Sequence, residues 1–245
     1  MRNLIKMESY KFTHNTKYWM AVAGMFVFGF LSTNGYKKSY NLASLEDLIE
    51  VHTLSDFFNS MTSDFVLLVM IVSAILAYSV GKEFNLRTID LAVASGHDRR
   101  NIVFSKAIIY LIAYNLIMLC YPYGGLVKEV SYYGLGNAAE TILSILRTTL
   151  YMILLCSAVF LFAMGIAYVV KNGAKAGGIS VCFSFTYLII IGASNIIDSI
   201  NPIYYMRMVL APDTAFHPAA ILVGTFWIVA SFALMVRNFG KSELK

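Results

Sequence analysis

Residues Thr148–Val170 read TTLYMILLCSAVFLFAMGIAYVV, 23 positions without one Asp, Glu, Lys or Arg. A helix crossing a bilayer needs roughly 17–25 such apolar residues. The run is continuous, whereas a strand of a membrane barrel would alternate every second residue over about 10 residues. A helix also pairs its own backbone groups, which hydrocarbon demands. Working outward, five further charge-free runs appear: Tyr18–Tyr36 (19 residues), Phe65–Gly81 (17), Ala107–Val127 (21), Ala176–Ile197 (22) and Thr214–Val236 (23). Together the six occupy about half of the 245-residue chain.

The composition agrees with this patterning. The chain is 58% hydrophobic and only 13% charged, with a mean hydropathy of +0.67. A soluble domain carries roughly 25% charged residues, so this chain could not clothe a water-facing surface, and a soluble globular enzyme is excluded. The expectation is an all-α membrane protein: one transmembrane domain, residues 1–245, with six transmembrane helices at 18–36, 65–81, 107–127, 148–170, 176–197 and 214–236. With the N-terminus inside, fourteen of the 19 basic residues fall on the inner side. That bias predicts an N-in, C-in topology. The net charge of +5 then faces anionic lipid and the cytoplasm rather than nucleic acid. Cys120, Cys156 and Cys182 all fall inside the runs, with no metal-type spacing, and read as small buried hydrophobes.

The connections carry weaker signals. Residues 1–17 place Leu4, Ile5 and Phe12 on a loose apolar face that Glu8 interrupts, which predicts a helix lying on the inner membrane surface. In the outer loop 37–64, Ser44-x-x-Asp47 resembles a capping box. Leu45, Leu48 and Ile49 follow as a helical stripe, so a short amphipathic helix is expected there. Phe57, Phe58 and Phe65 suit interfacial anchoring. Gly124-Gly125, Gly134 and Gly136 mark breaks near a second outer segment, and Asn172-Gly173 supplies the turn of a tight hairpin between runs four and five. Between Asn201-Pro202 and Ala211-Pro212-Asp213 an apolar stretch could dip into the membrane face.

Several chemistries are missing. No Asp, Glu, Lys or Arg lies within the runs, whereas ion-coupled carriers place charged groups at mid-membrane. There is no H-E-x-x-H, and His14, His52, His97 and His217 are dispersed. Gly240-Lys241-Ser242 resembles the end of a P-loop, but Met235 stands where its first glycine belongs. One alternative is an intramembrane serine protease built on Ser194 and His217, since serine needs a base within hydrogen-bond reach. Against it, Asn195 follows the serine where the rhomboid-type enzymes have glycine. The other alternative is a carrier or scaffold that uses no ATP.

The inner connection 81–106 is the informative one. Arg87 to Ser95 reads as a short helix, Gly96 suits its C-terminal cap, and Asp98 can cap the start of the next helix. Ile89, Leu91, Ala92 and Val93 are more apolar than a cytosolic linker requires. An apolar, polar-rimmed face at the inner surface predicts docking onto a cytosolic partner.

This segment resembles the first cytosolic loop of the permeases of ABC-2-type ABC transporters. Those proteins have six spans, an N-terminal surface helix and both termini inside. After their second span come an acidic residue, a Gly-Thr pair, a short coupling helix, an arginine, and a lysine entering span three. The matching residues here are Glu83, Thr88, the stretch Ile89–Ser95, Arg99 or Arg100, and Lys106. Arg87 stands where the family usually has glycine. The stretch Asn201–Pro212 before the last span is also similar to the family.

The resemblance implies a permease subunit of an ATP-driven exporter in a cell (plasma) membrane, of bacterial type. ATP and magnesium would belong to a separate cytosolic P-loop ATPase, and this chain would hold no cofactor or metal. A second permease copy or a paralogue would complete the pathway. The ATPase-coupling residues implied are Glu83, Arg87, Thr88, Ile89, Leu91, Ala92, Ser95, Gly96, Arg99 and Arg100. The spans offer aromatics and hydroxyls without fixed charge, which suits hydrophobic or amphipathic cargo such as peptides or antibiotics. Tyr78, Tyr114, Asn115, Tyr121 and Tyr187 are the candidates to face it.

Overall fold

The computed structural model describes residues 2–33, 38–40, 48–50, 53–191, 195–209 and 217–241. The first half runs α1 (Arg2–Thr13), α2 (Thr16–Leu31), β1 (Lys38–Tyr40), β2 (Leu48–Glu50), α3 (Leu54–Asp64), α4 (Val66–Asn85) and α5 (Thr88–Ala94). The second half runs α6 (Arg99–Tyr133), α7 (Ala138–Val170), α8 (Gly173–Ile189), α9 (Asn195–Ile200), α10 (Pro202–Val209) and α11 (Pro218–Lys241). A helix overlaps each of the six apolar runs. Four helices, α4, α6, α7 and α11, are long and apolar enough to cross a membrane. The other two, α2 and α8, are apolar but reach only 16 and 17 residues.

The limits of several elements differ from the sequence expectation. Run three was cut at Lys106 and Lys128, yet α6 is one helix of 35 residues. Its start after Asp98 is the expected one; the difference is at the other end, where the helix continues through Gly124-Gly125 to Tyr133. Run five is interrupted, because α8 stops at Ile189 and the chain resumes as α9 at Asn195. The expected helix at 44–49 is absent where it can be judged. Leu48 and Ile49 lie in β2, paired antiparallel with β1 in the register Tyr40↔Leu48 and Ser39↔Ile49, while Ser44–Asp47 lie outside the described residues. The helix of this loop begins later, at Leu54. There Thr53 and Asp56 form a reciprocal capping box: Thr53 Oγ1 accepts from the Asp56 N–H at 3.2 Å, and Asp56 Oδ2 accepts from the Thr53 N–H at 3.2 Å. Phe57, Phe58 and Phe65 are not interfacial anchors. All three are buried, because α3 turns them inward against α6 and α7.

The core lies along α6 and α7. The Tyr114 ring stacks on Phe160 at 4.7 Å, and Ser73 Oγ from α4 donates to the Tyr114 hydroxyl at 3.1 Å. Small residues permit close crossings. A methyl group on Gly173 would stand 2.9 Å from the Tyr78 carbonyl oxygen and 3.0 Å from the Lys82 nitrogen. This contact locks the start of α8 to the last turns of α4. The α7–α8 turn comprises Lys171 in the left-handed region (φ 52°) and Asn172, whose Oδ1 accepts from the Lys175 N–H.

Candidate functional site

Three elements converge where α4 ends and α6 begins, and α1 lies across them. On α1, Leu4, Glu8 and Phe12 share one face at i, i+4, i+8. Leu4 packs into the core and Phe12 packs edge-on against Tyr110 at 4.8 Å. Glu8 sits between them, and its side chain is 1% exposed. A carboxylate buried so deeply requires a cation. Lys106 of α6 supplies it at 2.7 Å, with its own side chain 3% exposed.

The Lys106 ammonium also donates to Glu83 Oε2 on the last turn of α4. Glu83 Oε1 in turn accepts from the Tyr110 hydroxyl at 3.0 Å and from Lys11 Nζ at 3.4 Å. Lys11 closes the ring by reaching Glu8 at 3.2 Å. Two carboxylates and two ammonium groups thus balance, and a phenol fills a further acceptor site. Burial works against the charge on Lys11. The Glu83 and Glu8 carboxylates outweigh it and hold the Lys11 pKa above the ordinary lysine value. Tyr168 of α7 lies beside the cluster, its ring edge-on to Phe84 (5.2 Å) and Phe239 (5.7 Å).

The connection between α4 and α6 follows from its punctuation. Arg87 precedes α5 in the left-handed conformation, φ 56° and ψ 17°. Thr88 Oγ1 donates back to the Glu83 carbonyl oxygen at 3.1 Å. At the far end Gly96 takes φ 87°. Its N–H reaches the Val93 carbonyl and the His97 N–H reaches the Ala92 carbonyl, the pair of bonds that ends a helix in a Schellman turn. Asp98 then starts α6 in an extended conformation.

α5 has two unlike faces. Ile89 is 1% exposed and belongs to the core; Leu91 is 67% exposed. Ala92 and Val93 are half-buried against the core. Leu86, before the helix, is also exposed. Arg87, Thr88, Ser95, Gly96 and Arg100 are exposed as well. Arg99 turns the other way. Its Nη1 donates to the Phe239 and Gly240 carbonyl oxygens at 3.1 and 3.3 Å, and its guanidinium lies 5.8 Å from the Phe239 ring centre. It thereby caps the end of α11.

The structure therefore gathers Glu83, Arg87, Thr88, Ile89, Leu91, Ala92, Ser95, Gly96, Arg99 and Arg100 around one loop, as neighbours in sequence must be. It divides them into an outward group led by Leu91 and an inward group of Glu83, Ile89 and Arg99. It adds Glu8, Lys11 and Tyr110, which the sequence reading passed over. The signal was available: a charged residue at the centre of the Leu4–Phe12 face either spoils that face or is buried against a partner.

The five candidate pathway residues are not gathered in one place. Tyr114 is fully buried, and Tyr121 is buried with Phe65 and Phe28 ring centres at 6.0 and 5.5 Å. Asn115 Nδ2 donates to Ser157 Oγ at 3.0 Å and to the Leu111 carbonyl. Tyr78 is exposed. Tyr187 lines a small apolar crevice with Phe162, Phe183 and Trp227. The other sequence candidate, Ser194, lies outside the described residues, and the His217 backbone N–H donates to the Tyr151 hydroxyl at 3.2 Å. Among the described residues no group of three or more His, Cys, Asp or Glu is arranged to hold a metal ion.

Comparison with curated proteins finds no match. The family model described as ABC-2 family transporter protein matches residues 4–193. That match spans well over half of the chain and includes Glu8, Glu83, Lys106 and the whole α5 loop. A multi-pass helical membrane protein with this match is placed without ambiguity: the chain belongs to the ABC-2 family of transporter proteins.

Proposed function

We propose that this chain is the permease subunit of an ABC exporter whose ATPase docks on the outward face of α5. The observation that carries this reading is the two-faced helix. Leu91 and Leu86 are exposed beside exposed polar and basic side chains, while Ile89, two residues before Leu91, is anchored in the core. Exposed leucines of this kind, rimmed by polar groups, suit a protein partner.

The mechanism follows from what α5 is tied to. Closure of two cytosolic ATPase subunits on ATP and magnesium would press on Leu91. The load passes through Ile89 into the core, through the Gly96 turn into α6, and through Arg99 into the end of α11. The Glu8–Lys106–Glu83–Lys11 cluster makes α1, α4 and α6 respond as one body. A rigid-body shift between two packed states is the form such coupling takes. The full arrangement is six spans with both termini inside, α1 on the inner membrane surface, and a second permease copy or paralogue across the pathway. The membrane is the plasma membrane of a bacterium. The cargo is hydrophobic or amphipathic, a peptide or an antibiotic, in keeping with apolar spans that present aromatics and hydroxyls.

The experiment is co-purification in mild detergent from the native host. A stoichiometric P-loop protein and vanadate-sensitive ATP hydrolysis are expected in the eluate. Recovery of the chain alone, with a folded melting profile, would refute the reading.

A further inference from the structure

At the end of the molecule opposite α5 lies a cavity of about 700 Å³. Small-ligand sites span about 300–1,000 Å³. Its walls are the first turns of α3, the last turn of α6 and the first three turns of α7. The chain linking α6 to α7 crosses it with Gly134 and Gly136 at positive φ (64° and 51°). Five polar side chains enter from two walls. On α7, Glu140, Ser144 and Arg147 stand at i, i+4 and i+7, which places them on one face. On α3, Asp56 and Asn59 stand at i and i+3. All five line the cavity.

The bonding of these groups is incomplete in a specific way. Asn59 is 5% exposed. Its Oδ1 accepts from Thr148 Oγ1 at 2.6 Å, and its Nδ2 donates to none of the described residues. Asn59 lines the cavity, so a ligand or water held there can accept from this amide. The Arg147 guanidinium likewise has no partner among the described residues. Asp56 and Glu140 each receive bonds on one carboxylate oxygen, from Thr53 and from Asn137, which leaves the other oxygen of each open. The cavity therefore offers an anion-binding guanidinium, cation-binding carboxylates and a buried amide donor together. Leu135 and Leu143 form an exposed apolar rim.

We propose that this cavity binds a short peptide with free termini. Arg147 takes the carboxylate, Glu140 and Asp56 take the ammonium, Asn59 donates to a backbone carbonyl, and the leucine rim holds apolar side chains. The site is built from α3, α6 and α7 alone and does not depend on the ATPase contact, though it gives the proposed peptide cargo a place to bind. A lipid headgroup with an ammonium and a phosphate carries the same pair of charges but lacks the peptide carbonyl that Asn59 would meet.

The test is calorimetric titration of the purified full chain in nanodiscs, without ATPase, using the tripeptide Leu-Leu-Leu. Saturable binding is expected. Amidation of the C-terminus, acetylation of the N-terminus, Arg147→Gln and Glu140→Gln should each weaken it about tenfold or more, the value of one charge-assisted hydrogen bond. Arg147→Gln should no longer distinguish the free acid from the amide. Both side chains are exposed, so the variants should keep the wild-type melting temperature. Absence of tripeptide binding, equal binding of free and blocked tripeptides, or saturable binding of glycerophosphoethanolamine in place of the tripeptide would each overturn the assignment. Because no ATPase is present, failure here leaves the docking of α5 untouched, and failure of ATPase co-purification leaves this site untouched.

Discussion

Glu8 Oε1 and Lys106 Nζ lie 2.7 Å apart across 98 residues of sequence, and they pin the first helix to the start of α6. Removing one partner of a buried pair strands the other charge, at a cost of about 3–5 kcal/mol. Lys106→Met should therefore lower the melting temperature sharply. It should also expose α1 to limited proteolysis. Glu8→Gln should be milder, because Lys106 keeps Glu83. The double variant should be less destabilised than the sum of the two, since residues in one network couple. Additive losses would show that the pair is not a unit.

Leu91 and Ile89 lie two residues apart and should fail in different ways. Leu91→Asp changes a side chain that is 67% exposed, so stability should stay within about 0.5 kcal/mol of wild type, while ATPase recovery in co-purification drops at least tenfold. Ile89→Asp buries an unpaired carboxylate and should cost several kcal/mol, losing the fold of the loop and the partner together. Retained partner binding in folded Leu91→Asp would remove α5 as the docking helix.

Arg87 occupies a left-handed conformation, which costs a residue with a Cβ about 1–2 kcal/mol. Arg87→Gly should be tolerated or raise stability by up to about 1 kcal/mol in thermal melts. Arg87→Val should lose more than that, because a β-branched residue is poorly suited to positive φ. The same geometry explains the glycine that the resembling permeases carry at this point.

Gly173 and Gly178 are a matched control on α8. A Cβ on Gly173 would meet the α4 backbone at 2.9–3.0 Å, and one on Gly178 would meet nothing within 4 Å. Gly173→Ala should destabilise by about 1–3 kcal/mol, the usual cost of overpacking. Gly178→Ala should be neutral or slightly stabilising, as a helical alanine is. Equal melting temperatures for the two variants would mean that the α4–α8 crossing is not close-packed.

Much of the helical layout was legible because uninterrupted apolar runs have one structural solution in lipid. The α5 loop was legible because Gly96 and Asp98 punctuate the chain locally. What escaped depends on contacts between distant segments. Glu8 looked like a flaw in an apolar face, since its partner lies on α6. Phe57, Phe58 and Phe65 looked interfacial, since their burial requires α3 to turn against α6 and α7. The cavity between α3 and α7 lay wholly beyond such reading, because Asp56–Asn59 and Glu140–Arg147 meet only after folding.

One helix touches both ends of this description. At 35 residues and about 1.5 Å per residue, α6 is a rod of about 50 Å. Lys106 stands near one end and Tyr133 at the other, at the wall of the cavity. The rod is gripped roughly three-quarters of the way along, where α2 crosses it at Gly124 and where Pro122 removes one backbone donor. It is thus a seesaw with a fulcrum. A tilt of about 5° at the fulcrum would swing the Arg99 tip by about 3 Å and the Tyr133 tip by about 1 Å in the opposite direction, so a push on the α5 side would be felt as a smaller recoil at the far cavity.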